Sequence, residues 1–282
     1  VGVVRSVAGD ECAQPGRQPQ LCQDCPCCRL EFAQVAQGGD PVPVCAKHGC
    51  TTRQVLSHST GLPNWRRSGD PLRPRFAPGT QFSNSGEGYV YLGRVVEQLV
   101  GASWQARVTT TVLEPLRMQH SRFLTTAAAG QEGGLATGHD RLGVPQQEST
   151  AARTGPAGSL LTTALDYGRF LVAAAPGVGH EKCVLGLQWR EQMLTPQVRI
   201  DERLAWGLGW GLQTTSHGRG IWQWGDNTGF KNIALGIPEH GIAMVVLTNG
   251  DNGQQVYARI VGEVFGGEQP WQPWVAIGPY LS

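Results

Sequence analysis

Tyr89, Leu92, Val95, Val96, Leu99 and Val100 recur at helical spacing, so residues 88–100 are predicted to form an amphipathic helix, and Gly101 stands where a left-handed residue ends one. The same period predicts helices over 104–112 and 163–174, the second capped by Thr162 or Thr163, with Leu165, Phe170 and Leu171 on its buried face. Thr51 and Gln54 fit a capping box before a short helix over 53–58, which Gly61, Pro63 and Asn64 end. A loop rich in Pro71, Pro74, Pro78 and Gly79 follows, and residues 130–158 also read as loop. After Arg190 the pattern changes to alternation. Strands are predicted over 206–215, 221–225, 230–237 and 242–248, with turns at 238–241 and at Asn249-Gly250, and a helix over 256–265 closes the series. Helices followed by an antiparallel sheet make an α+β fold, its helical part over about 51–190 and its sheet part over 191–282. There is no internal repeat.

Residues 1–50 follow other rules. Pro15, Pro19, Pro26, Pro41 and Pro43 forbid a long helix, no apolar alternation survives, and only 30–37 could form a short helix. Cys12, Cys22, Cys25, Cys27, Cys28, Cys45 and Cys50 all lie here, out of 8 cysteines in the chain; Cys183 is the other.

Composition narrows the functional classes. With 282 residues the chain is long enough for an ordinary core, and its 16% charged residues fall below the roughly 25% of an average soluble domain, which excludes a charged disordered tail. Lys and Arg number 23 against 22 Asp and Glu, and Arg66-Arg67 is the longest basic run, so nothing marks a nucleic-acid or anionic-membrane partner. Apolar runs such as 242–247 are far shorter than the roughly 20 residues of a membrane span, and the start at Val1 shows no signal-peptide pattern.

The segment Val55-Leu56-Ser57-His58-Ser59-Thr60-Gly61-Leu62-Pro63 and three later landmarks carry a resemblance. These are 82–93, with Phe82-Ser83-Asn84-Ser85-Gly86 and the following helix; 155–166, with Gly155-Pro156-Ala157-Gly158-Ser159-Leu160, Thr162, Thr163 and Asp166; and 222–230, with Trp222-Gln223-Trp224-Gly225, followed by 245–249. In this order, over about 51–265, they resemble the serine β-lactamase and penicillin-binding-protein-like family, which includes class C β-lactamases, DD-peptidases and related esterases. The resemblance implies a partial β-lactamase/transpeptidase-like fold over 51–282 and hydrolysis of an amide, ester or peptide through an acyl-serine. It also implies a bacterial periplasmic or secreted location. The family's first helix and first two strands have no room before Thr51, so the sheet is expected to expose an edge.

That chemistry uses a serine nucleophile with a lysine one helical turn on, a tyrosine that relays the proton, and a Lys or His beside a strand that offers a backbone N–H to the oxyanion. No Ser-x-x-Lys occurs: Val44, Gly179 and Thr228 stand three residues before Lys47, Lys182 and Lys231. The nearest imitation, Thr228-Gly229-Phe230-Lys231, falls on a late strand. The family spacing puts the nucleophile within the first fifteen residues, where Ser6 is the only serine and Gly9 stands at the lysine position. The tyrosine position falls on Asn84 by one alignment and on Phe82 by another, and Tyr89 reads as a helix-face aromatic. Gln223 takes the Lys/His position, followed by Trp224 and Gly225, and the backbone N–H of Asp226 is the oxyanion donor the resemblance implies. General acid–base help is worth about 10²–10⁴, but it acts on a nucleophile this sequence does not supply. The expectation is a degenerate, inactive hydrolase.

Two alternatives stay open. One is a non-catalytic protein that binds a ligand on the same scaffold at Asn84, Gln223 and Trp224. The other is a zinc-stabilised interaction module in residues 12–50, in which Cys25, Cys28, Cys45 and His48 have tetrahedral ligand spacing and Zn²⁺ contributes about 10–16 kcal/mol of apparent binding energy. A disulfide framework is a further use of these cysteines. A reading-frame shift in the gene would also produce the abrupt boundary at Thr51. His58 reads as a structural hydrogen-bonder, and Trp206, Trp210, Trp222 and Trp224 as sheet packing or a cleft wall. His139-Asp140 and Ser216-His217 have no triad-like partners.

Overall fold

The Thr51 hydroxyl accepts the Gln54 N–H at 3.2 Å while the Gln54 side chain accepts the Thr51 N–H at 2.8 Å, so the predicted capping box is closed and opens helix α1 (Thr52–Leu56). The computed structural model describes residues 50–67, 69–124, 135–146, 155–174 and 185–277. The predicted short helix over 30–37 and the zinc candidates Cys25, Cys28, Cys45 and His48 lie outside them.

Helix α2 (Gly86–Val100) begins two residues earlier than predicted because Ser85 caps it, accepting the Gly88 N–H and donating to the Pro63 carbonyl, both at 2.9 Å. Gly101 ends it at φ 64. Its buried Tyr89, Leu92 and Val95 pack on Val55, Leu62 and Leu72. Helix α3 (Trp104–Val108) is shorter than predicted, and its continuation Thr109–Leu113 widens, with Glu114 N–H bonding the Thr109 carbonyl at 2.9 Å. The Thr110 and Thr111 hydroxyls bond back to the carbonyls of Ala106 and Arg107 and compete with the regular ladder there. Helix α4 (Ala164–Ala174) buries Tyr167, Phe170 and Leu171 as its period requires. Leu165, expected inside, is 67% exposed, because the inward stripe begins one residue later at Asp166.

Strands β1 (Arg122–Phe123) and β2 (Leu160–Leu161) form a small antiparallel pair. Helix α5 (Leu187–Met193) leads into a six-stranded antiparallel sheet with its strands in chain order: β3 (Val198–Arg199), β4 (Leu204–Trp206), β5 (Gly211–Thr215), β6 (Gly218–Asn227), β7 (Phe230–Ile237) and β8 (Ile242–Thr248). The single strand predicted over 206–215 is two, because the chain turns over Gly207–Trp210 with Gly207 N–H on the Trp210 carbonyl at 2.8 Å and Gly209 at φ 85. Strands β7 and β8 have the predicted bounds, and helix α6 (Gly253–Phe265) starts three residues before the predicted one. Helix α7 (Trp271–Ile277) ends the described chain.

Alternation along β6 and β7 assigns the two faces. Ile221 and Ala234 face α4 with Phe170 and Leu171, whereas Trp222, Ile233 and Leu235 face α6 and α7 with Tyr257, Val261 and Trp271. Among the described residues β8 has no partner on its outer edge. No described helix is long and apolar enough to cross a membrane.

Candidate active site

Strand β6 outruns its neighbour. Its pairing with β5 ends at Gly211↔Trp222, while its pairing with β7 continues to Asn227↔Phe230. Residues 223–227 therefore keep one backbone edge outside the β5 ladder, and all five line a cleft of about 240 Å³. The other walls come from His58, Asn64 and Trp65, from Asn84, Ser85 and Tyr89 at the start of α2, and from Gly158, Leu160, Thr162 and Tyr167.

Gln223 is buried and both ends of its amide are in use. Its Nε2 donates to the Gly209 carbonyl and its Oε1 accepts the Trp224 N–H, each at 3.0 Å. The Trp224 N–H thus points to the open edge, and alternation along the strand puts the Asp226 N–H on the same side. Trp224 and Gly225 complete this edge, so the four sequence-predicted residues Gln223, Trp224, Gly225 and Asp226 share one rim with Asn84.

His58 sits beneath that rim. Its Nδ1 accepts the Ser85 N–H at 3.0 Å, its ring packs between Tyr89, Trp206 and Phe82, and burial pushes its pKa down to about 3. It is a neutral structural acceptor, as the sequence suggests. Tyr89 donates to the Leu56 carbonyl at 3.0 Å, and burial raises its pKa, so this phenol is held protonated. Phe82, the other alignment for the tyrosine position, packs on Trp206 and Trp274.

The Thr228-x-x-Lys231 imitation is a hairpin clamp. Lys231 pairs with Asp226 and, at 3.1 Å, with Asp251, and donates to the Asn227 carbonyl. Burial opposes ionisation of Asp251, but the Gly229 N–H and the Lys231 ammonium hold its carboxyl below the usual value. Asp166, in the third landmark, is fully buried and accepts from His120 N–H, the Ser121 hydroxyl and Arg169. Of the four tryptophans, Trp224 reaches the cleft, while Trp206 and Trp222 lie in the core and Trp210 stacks on Phe170. His139 Nδ1 lies 3.1 Å from the Asn249 carbonyl and the His217 N–H donates to Thr215; neither residue lines the cleft.

Sequence reasoning missed Trp65, Asn227, Asn232 and Tyr167. A signal for Asn232 existed: with Thr228-Gly229 as the hairpin turn, register places it opposite Gly225. Trp65 comes from a loop with no periodicity to read.

A helical layer flanking a sequentially wound antiparallel sheet, with a cleft where an overhanging strand meets a helix N-terminus, is the arrangement the landmarks imply. The chain belongs to the beta-lactamase family, whose model matches residues 33–262 and so begins upstream of the Thr51 boundary. It is 25% identical over 242 residues to penicillin-binding protein 4 of Amycolatopsis lactamdurans, covering 77% of this chain and 64% of that one. It is 22% identical over 225 residues to protein flp of Staphylococcus aureus, covering 71% and 43%. The chain therefore spans less than two thirds of the length of these curated relatives. Among solved structures, it is similar in fold to a D-stereospecific amidohydrolase from Streptomyces sp. (TM-score 0.66, 18% identity, 86% of this chain and 80% of that one). It is also similar to an octameric penicillin-binding protein homologue from Pyrococcus abyssi (TM-score 0.61, 20% identity, 86% and 63%).

Proposed function

We propose that this chain is a β-lactamase-related hydrolase scaffold that binds an amide, ester or peptide in its cleft without forming an acyl-serine. One observation carries the reading. Gln223, at the position where the resemblance puts a titrating Lys or His, is neutral and spends both amide groups on Gly209 and Trp224. The absence of any Ser-x-x-Lys from the sequence supports it further. The edge Trp224–Gly225–Asp226 is then the ligand-facing strand and Asn84 its counterpart across the cleft. The relatives' names, amidohydrolase and penicillin-binding protein, support the ligand class, and the family resemblance supports an exported bacterial location.

The test is incubation with a fluorescent penicillin and with a fluorophosphonate, followed by intact mass. The expected result is an unmodified chain; a stoichiometric serine adduct overturns the proposal.

A further inference from the structure

The cleft carries its free hydrogen-bonding capacity on neutral groups. Among the described residues Asn84 and Asn227 make no side-chain hydrogen bond, and Asn232 commits its Oδ1 to the Thr248 N–H at 2.9 Å, which leaves its amide nitrogen without a partner there. Tyr167 lines the same cleft, and its buried hydroxyl has no partner among the described residues. Among the described residues no Lys or Arg lines the cleft, and the one lining carboxylate, Asp226, is held by Lys231. Arg66, next to the rim residue Trp65, is paired with Glu87 at 3.4 Å. The lining imidazole, His58, is neutral. Beside these polar groups Leu160, Ala234, Val245 and Leu247 form an apolar wall.

A carboxylate entering this cleft would shed water against that wall and meet no free cation among the described residues. A carboxamide would find amide donors and acceptors at no such cost. The geometry points to a neutral, amide-bearing ligand with an apolar substituent as what the cleft selects, in preference to the corresponding free acid. This rests on the proposed reading of the cleft as a binding site and names the ligand class for it. Asn84, from the loop before α2, and Asn227 and Asn232, from the β6–β7 hairpin, would bracket the amide, and Trp65 and Trp224 report its arrival.

The experiment titrates the full chain with N-acetylleucinamide and with N-acetylleucine at pH 7 and follows tryptophan fluorescence. It is repeated for Asn84→Leu and for Asn84→Asp, with thermal melts to show that each variant is folded. The amide is expected to bind at least about tenfold more tightly than the acid, and either substitution to weaken the amide by about tenfold, the worth of one or two lost hydrogen bonds. Equal or tighter binding of the acid, no saturable binding of the amide, or unchanged amide affinity in both folded variants overturns the proposal. Penicillin labelling of the same preparation is read separately by mass. An adduct there overturns the non-acylating reading and leaves the amide preference to the titration.

Discussion

His58 Nδ1 accepts the backbone N–H of Ser85 at 3.0 Å, a bond that spans 27 residues of sequence and fixes the start of α2 against the loop before it. An acceptor at Nδ1 requires the ring proton on Nε2, so the bond exists only for the neutral imidazole. Ser85 is also the cap of α2 and neighbours Asn84, so one ring nitrogen sets the position of the cleft's polar rim.

Acid should therefore loosen this region in a defined window. The His58 pKa is lowered from 6.5 to about 3, so the unfolded chain takes up a proton that the folded chain refuses. The contribution is complete above pH 6.5 and lost as pH falls toward 3, with a slope of about 1.4 kcal/mol per pH unit. Carboxylates such as Asp251 add to the loss at the acid end, so the comparison is with His58→Asn. Asparagine keeps an acceptor near Nδ1 and tolerates the backbone at φ 53. Denaturant melts from pH 4.5 to 7.5 should show wild-type stability rising with pH more steeply than that of the variant; parallel curves would refute the buried neutral ring.

Two buried tyrosines should respond oppositely to loss of a hydroxyl. Tyr89 donates to the Leu56 carbonyl, so Tyr89→Phe strands a carbonyl and should cost about 1–2 kcal/mol. Tyr167 has no partner for its hydroxyl among the described residues, so Tyr167→Phe should leave stability unchanged or raise it by up to about 1 kcal/mol. Urea denaturation of both variants decides it, and equal losses would contradict the assignment.

Asp166 joins three separate donors. Its carboxylate holds His120 N–H at 2.8 Å, the Ser121 hydroxyl at 3.0 Å and Arg169, tying α4 to the chain before β1. Asp166→Ala should cost about 3–5 kcal/mol, since a buried charge-assisted network loses its centre. Arg169→Ala should cost less than the Asp166 substitution, because the arginine is partly exposed. Thermal melts that rank the two the other way round would show that the arginine, not the carboxylate, organises the junction.

How far the sequence reveals this molecule depends on whether information is local. The capping box at Thr51, the stop at Gly101 and the bounds of β7 and β8 are readable because each is set by neighbouring residues. The break at Gly207–Trp210 is missed because apolar alternation continues across it, while the turn is made by the left-handed Gly209 and the Gly207 N–H bond to the Trp210 carbonyl, with Gly207 packed too close to the Met193 carbonyl for a side chain. The position of Gln223 is readable by counting from Gly229-Phe230, but its state is not. Its partner on the far side is the carbonyl of Gly209, fourteen residues away, which no motif announces.

That state leads to the last prediction. In Gln223→Lys the titrating group of the family pattern is restored, yet the Trp224 N–H loses its acceptor and an ammonium enters a site that is 9% exposed. The substitution should cost about 1–3 kcal/mol and, on the proposed non-acylating reading, yield no penicillin adduct, because a restored proton-transfer group alone supplies no nucleophile. Gln223→Glu separates the two ends of the amide. It keeps the acceptor for Trp224 but sets a carboxylate against the Gly209 carbonyl, which raises its pKa in the folded chain. Its penalty should thus be largest at pH 7 and shrink as pH falls and the carboxyl protonates. Denaturant melts at pH 7 and pH 5, with intact mass after labelling, test both variants. A lysine variant as stable as wild type, or one that acylates, would show that Gln223 is a replaceable surface amide and not the lock on the cleft's open strand.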